Sequence, residues 1–222
     1  MSRFVQIFVF SFTVGLTGAM TPGPLLAFTV HQAAKKGYSV GFLVVLGHAI
    51  IESSLVIAIF VGAAKFLQNK SVLRAISAVG AVVMGLLALL MLNDARTISL
   101  SAILSSASSN TRFDNSVLGG IVMSGFNPTF PLWWATVGLA LVAKYATTVA
   151  NGVVFYAGHV TSDLIWYGAV SCAIGFGRHL ISDAVYRCSM AVLALALAGF
   201  AVYFAYAAVT GSGLQPRPSA TA

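Results

Sequence analysis

The chain has 222 residues, 59% hydrophobic and 8% charged, with a formal net charge of +7 and a mean hydropathy of +0.93. Soluble domains carry roughly 25% charged residues, so the composition excludes an ordinary soluble enzyme or binding module. Its basic residues (Lys35, Lys36, Lys65, Lys70, Arg74, Arg178 and Arg187) sit at the ends of apolar stretches, where loops meet lipid headgroups. They imply a bilayer as partner and no nucleic acid.

Crossing a membrane takes about 20 apolar residues per helix. Six stretches qualify, at about 4–31, 39–65, 72–93, 116–143, 149–177 and 188–210. Their unbroken hydrophobicity predicts helices, because barrel strands alternate. The first stretch runs past Ala19 through Leu25 and Val30, so it reads as a retained helix and not a cleaved signal. It carries Thr21-Pro22-Gly23-Pro24, and proline removes a backbone donor and clashes with the preceding turn. A break is predicted there, with the restarted helix turning its N–H groups toward a protein-lined cavity suited to a carboxylate. The second stretch carries Gly47-His48 and Glu52, and the third opens on Ser71-Val72-Leu73-Arg74. A Ser-rich segment, 94–115, reads as a flexible connection. The fourth stretch holds Asn127-Pro128-Thr129-Phe130-Pro131, which predicts a second break with the Asn127 side chain free to cap or to bind. The fifth carries Gly158-His159 and Asp163, and the sixth follows Ala184-Val185-Tyr186-Arg187. A polar tail, 211–222, is expected to be disordered.

These landmarks recur in one order, at offsets of 106, 111 and 113 residues: a proline motif, Gly-His-x-x-x-acid, then an Arg-led helix. Each half reads as three helices, and an odd number makes the second half enter the membrane the other way round. The expected fold is an all-α polytopic membrane protein, one integral domain over 1–222. Its six transmembrane helices form two inverted repeats, about 4–93 and about 116–210, with helices 1 and 4 broken at proline.

A carboxylate at mid-membrane costs on the order of 2.5–3.5 kcal/mol on insertion scales and marks a functional site by default. His48 and Glu52 are four residues apart and share a helix face, as do His159 and Asp163. Such pairs can exchange a proton or hold a cation or a substrate ammonium. The plainer alternatives are packing hydrogen bonds for the imidazoles and neutral structural carboxyls for the acids. His31 and His179 read as interfacial; Trp133, Trp134 and Trp166 as packing or interfacial, with lining of the substrate path as the lesser alternative; Cys172 and Cys188 as small packed residues. Small residues in the third and sixth stretches, such as Ser77, Gly80, Ala81 and Ala194, suit either a seam within the bundle or a homodimer contact. There is no P-loop, Gly-x-Ser-x-Gly or HExxH, so neither ATP drive nor an enzyme activity is expected, and no cofactor.

Thr21-Pro22-Gly23-Pro24, the Gly37/Gly41 region with Lys35-Lys36, Gly47 and Asn127-Pro128 together resemble the LysE/RhtB family of amino-acid exporters. The likeness covers the whole length. It implies efflux of amino acids or close derivatives through the prokaryotic plasma membrane, driven by proton antiport. Carried over by position, the substrate-binding residues are Thr21, Pro22, Gly23, Pro24, Asn127 and Pro128. Glu52, Asp163, His48 and His159 are the groups for the proton or the substrate amine, and no metal is expected. Two alternatives stay open: a small-cation or metal-ion exporter on the same scaffold, and a membrane scaffold without transport. Lys and Arg divide six against six between the two sides, so the positive-inside rule gives no orientation. The compact Lys35-Lys36 pair and the long connection favour cytoplasmic placement of their side, with both termini outside.

Overall fold

The computed structural model describes residues 2–67, 69–97, 115–177, 180 and 182–212, and among these every regular element is helical. Most of the Ser-rich connection (98–114), the tail from 213 onward and His179 lie outside the described residues.

Helix α1 (Arg3–Ala19) starts on a Ser2 cap and stops before the proline motif. Helix α2 (Pro24–Lys36) restarts with Pro24 in its first turn, where a missing N–H costs nothing. The two axes are bent by 80°. Helix α3 (Val40–Ala58) continues through a short π-helical segment to α4 (Ala64–Leu67), and the chain breaks at Gly62, whose φ is 112°. The expected second span of 39–65 is therefore an unbroken α-helix only as far as Ala58. Only glycine adopts such a φ readily, and no sequence period announces it. Helix α5 (Lys70–Thr97) is capped by the Asn69 side chain, which accepts from Ser71 N at 2.9 Å.

The second half opens with α6 (Ser116–Gly125), capped by Asn115. After a break come α7 (Thr129–Trp133), a π-helical turn (Trp134–Gly138) and α8 (Leu139–Tyr145). The expected fourth span is thus divided into three. Helix α9 (Val149–Gly177) has the bounds read from the sequence, and α10 (Asp183–Thr210) starts earlier than expected, on a Ser182 cap.

Among the described residues, three helices are long and apolar enough to cross a bilayer (Val40–Gly62, Lys70–Asn93 and Asp183–Thr210), and the bent α1–α2 pair meets the same length and hydropathy only when its two helices are taken together. Large apolar side chains such as Leu86, Leu89, Leu195 and Val202 are exposed along α5 and α10. Contiguous apolar surface of that kind belongs against lipid, and the protein is a multi-pass membrane protein.

Helices of the two halves pair reciprocally: α1 with α9, α3 with α6, and α5 with α10. Helices α1 and α9 run parallel. Arg3 Nη2 donates to Thr147 at 3.2 Å, Ser11 to the Phe155 carbonyl at 2.6 Å, and Gly15 lies beside Ser162 further along. Helices α3 and α6 are also parallel, with Gly47 against Val117 and Ile51 against Gly125. Helices α5 and α10 are antiparallel, since Arg74 meets Gly211 while Gly85 meets Ala201. Ser77, Ala81 and Ala194 are buried in the chain itself.

Candidate functional site

The glycine preceding each motif histidine has a packing reason. A Cβ on Gly47 would collide with the Val117 carbonyl of α6, and one on Gly158 with the Phe8 carbonyl of α1. Each glycine lets its helix approach a helix of the other half, so the next residue, His48 or His159, enters the space between halves. One helical turn on, Glu52 and Asp163 enter the same space.

All four side chains are buried and converge there. His159 Nε2 lies 2.9 Å from Glu52 Oε1, and His48 Nε2 lies 3.5 Å from the same oxygen. Asp163 Oδ2 is 3.8 Å from His48 Nε2 and 4.0 Å from His159 Nε2. Trp134 adds a third group to Glu52, its indole Nε1 donating to Oε1 at 3.1 Å. Glu52 Oε2, Asp163 Oδ2 and His159 Nδ1 have no hydrogen-bond partner.

The tautomer of His48 follows from Ser124. That hydroxyl gives its one hydrogen to the Gly120 carbonyl at 2.6 Å, so it accepts from His48 Nδ1 at 2.8 Å. His48 Nδ1 therefore carries a proton and Nε2 faces the two carboxylates. A serine donating to the carbonyl four residues back is ordinary in a helix; here it orients an imidazole.

A cavity of about 80 Å³ opens on this cluster. Of the residues expected to bind, Thr21, Asn127, His48, Glu52, His159 and Asp163 line it, together with Thr129, Phe130, Trp133, Trp134 and Tyr167. Pro22, Gly23, Pro24 and Pro128 do not line it. Pro24 is fully buried, the Pro128 ring packs on Gly80 of α5, and Gly23 lies beside the Asn127 amide. Asn127 Oδ1 caps the restarted helix, accepting from Thr129 N at 3.1 Å and from its hydroxyl at 2.6 Å, so only the amide nitrogen is left to donate elsewhere. Among the described residues, no Lys or Arg lines the cavity. His31, expected at the interface, pairs with Tyr186 through Nδ1 at 3.1 Å.

Ser124 is the site residue that the sequence reading missed, and Trp134, like Trp133, lines the cavity where packing was the favoured expectation. Trp134 reaches Glu52 because the π-helical turn beginning there changes the helical phase, and π-turns concentrate at functional sites. An apolar run containing two tryptophans gives no sign of which one reaches the carboxylate. Trp133 and Trp134 also pack on the His159 ring, with centroids at 4.9 and 5.2 Å.

A multi-pass helical protein whose spans break at proline beside buried acids has the build of a membrane transporter. The model of the LysE type translocator family matches residues 16–208, and the chain belongs to that family. Among curated proteins, the chain is similar to the chemotactic transduction protein ChpE of Pseudomonas aeruginosa. The two are 27% identical over 203 residues, covering 89% of this chain and 98% of that one. No solved structure matches.

Proposed function

We propose that the protein exports amino acids or close derivatives from the prokaryotic cytoplasm in exchange for protons, as a six-span secondary transporter of two inverted repeats. The observation that carries this reading is the meeting of Glu52 and His48 from one half with Asp163 and His159 from the other at one cavity. The reciprocal helix pairing supports the inverted arrangement, since it is the pattern a two-fold axis in the membrane plane generates. In this mechanism the carboxylates take the substrate ammonium or the exchanged proton. The Asn127 amide nitrogen, beside the α1–α2 break, donates to the substrate carboxylate. Pro22, Gly23, Pro24 and Pro128 shape the two breaks, and rocking of one half against the other about them opens the cavity to each side in turn. Both termini lie outside the cell in this reading, and a homodimer would use the lipid-exposed faces of α5 or α10.

The test is purified protein in liposomes with a panel of labelled amino acids and an imposed pH gradient. At least one amino acid should move with the gradient in the wild type, and Glu52→Gln should abolish that coupling. Failure of every amino acid to follow the gradient overturns the reading, and full coupling in the variant removes Glu52 from it.

A further inference from the structure

We propose that the four-residue cluster between the halves also binds a divalent first-row transition-metal ion, Zn²⁺ or one of like chemistry. This site stands on geometry alone and does not depend on amino-acid export. Donor atoms from four side chains face one space, His48 Nε2, His159 Nε2, Glu52 Oε1 and Asp163 Oδ2, with His48, Glu52 and Asp163 forming the compact set. Four of their separations are 2.9, 3.5, 3.8 and 4.0 Å. Tetrahedral ligands with bonds of about 2.0–2.1 Å stand roughly 3.3–3.4 Å apart. His48 Nε2 stands 3.5 Å from Glu52 Oε1 and 3.8 Å from Asp163 Oδ2, close to that value, whereas His159 is hydrogen-bonded to Glu52 at 2.9 Å and joins as a fourth ligand only by giving up that bond. Donor atoms of His48, Glu52 and Asp163 all lie within 4.8 Å of one another.

Three further features point to an ion. Asp163 is 4% exposed, and its Oδ2 has no hydrogen-bond partner although it faces the other three groups. Ser124 takes the Nδ1 proton of His48 and so leaves the Nε2 lone pair directed inward, which is how ligating histidines are commonly held. Trp134 donates to the same Glu52 Oε1 and holds that carboxylate in place. Two imidazoles and two carboxylates suit a borderline transition ion. They are a poor cage for Ca²⁺ or Mg²⁺, which require six or more ligands, mostly oxygen. Each half supplies one imidazole and one carboxylate, so the bound ion joins the halves that transport must move apart.

Tag-free full-length protein, stripped with chelator and kept in detergent, is titrated with Co²⁺ and followed by visible absorption. The site requires one ion per chain, intense bands of tetrahedral Co²⁺, displacement by Zn²⁺ and indifference to Mg²⁺. Asp163→Asn and His48→Gln should each weaken binding by roughly 100-fold or more, and Ser124→Ala, which keeps all four donors, by about 10-fold. Absence of stoichiometric binding in the wild type overturns the site, as does binding equally tight in both ligand variants. Because the ion is read without transport, failure of amino-acid export leaves this result untouched. In proteoliposomes, passage of Zn²⁺ identifies the ion as cargo, whereas retention with arrested amino-acid movement identifies it as a lock; either upholds the site.

Discussion

The two halves carry the same Gly-His-x-x-x-acid motif and use its acid differently. Glu52 of the first half receives Trp134 and His159 at hydrogen-bond distance and His48 just beyond it. Asp163 of the second half has only the two imidazoles, at 3.8 and 4.0 Å, and a bare oxygen. The repeat itself shows where they parted. Pro128 matches Pro22 at an offset of 106, and at that offset the counterpart of Trp134 is Phe28, which has no donor to give. Glu52 is consequently held by two close partners, while Asp163 keeps an oxygen unengaged; in the proposed mechanism Asp163 is the acid that takes up and releases the proton. One tryptophan sets the two acids apart.

This contrast can be broken by substitution. The largest effect falls on Glu52→Ala, which leaves His159 and Trp134 without their common acceptor. Breaking a buried pair in this way costs about 3–5 kcal/mol, read as a fall in the thermal midpoint in detergent. Asp163→Asn should remove coupled transport and leave that midpoint near the wild-type value, because it strips no hydrogen bond from a neighbour. An equal loss of stability in the two variants would erase the distinction between the acids. Next comes Trp134→Phe, which removes one donor from a charged acceptor and should cost roughly 1.5–3 kcal/mol. It should also reduce transport less than the change at Asp163. A smaller change sharpens the helix-contact side of the comparison. Gly47→Ala pushes a methyl into the Val117 carbonyl and should destabilise by about 1–3 kcal/mol, whereas Gly199→Ala, with open space around it, should be silent. Thermal unfolding of the purified variants checks both.

Much of the scaffold was legible because proline and hydrophobic length act locally. The bounds of α9, the stop before Pro22 and the break at Asn127-Pro128 follow from backbone rules that need no tertiary context. The convergence of both motifs was legible from their repetition. The break at Gly62 was not, since a glycine in an apolar run reads equally well as helix. Nor was the inward turn of Trp134, which depends on a change of helical phase. The inequality of the two carboxylates was hidden for the same reason: it is decided by a residue on another helix. Asn127 lay between these cases, for the sequence allowed capping or binding, and its oxygen caps while its nitrogen is left over.

Among the described residues the α5–α10 pair gives none to the cavity wall, yet it touches the broken span of each half: Gly80 of α5 seats the Pro128 ring, and Tyr186 of α10 pairs with His31 of α2. Each long rod therefore belongs to one half and leans on the broken span of the other. In the proposed rocking mechanism, movement of either broken span is passed along the same girder by a route that bypasses the ionisable centre.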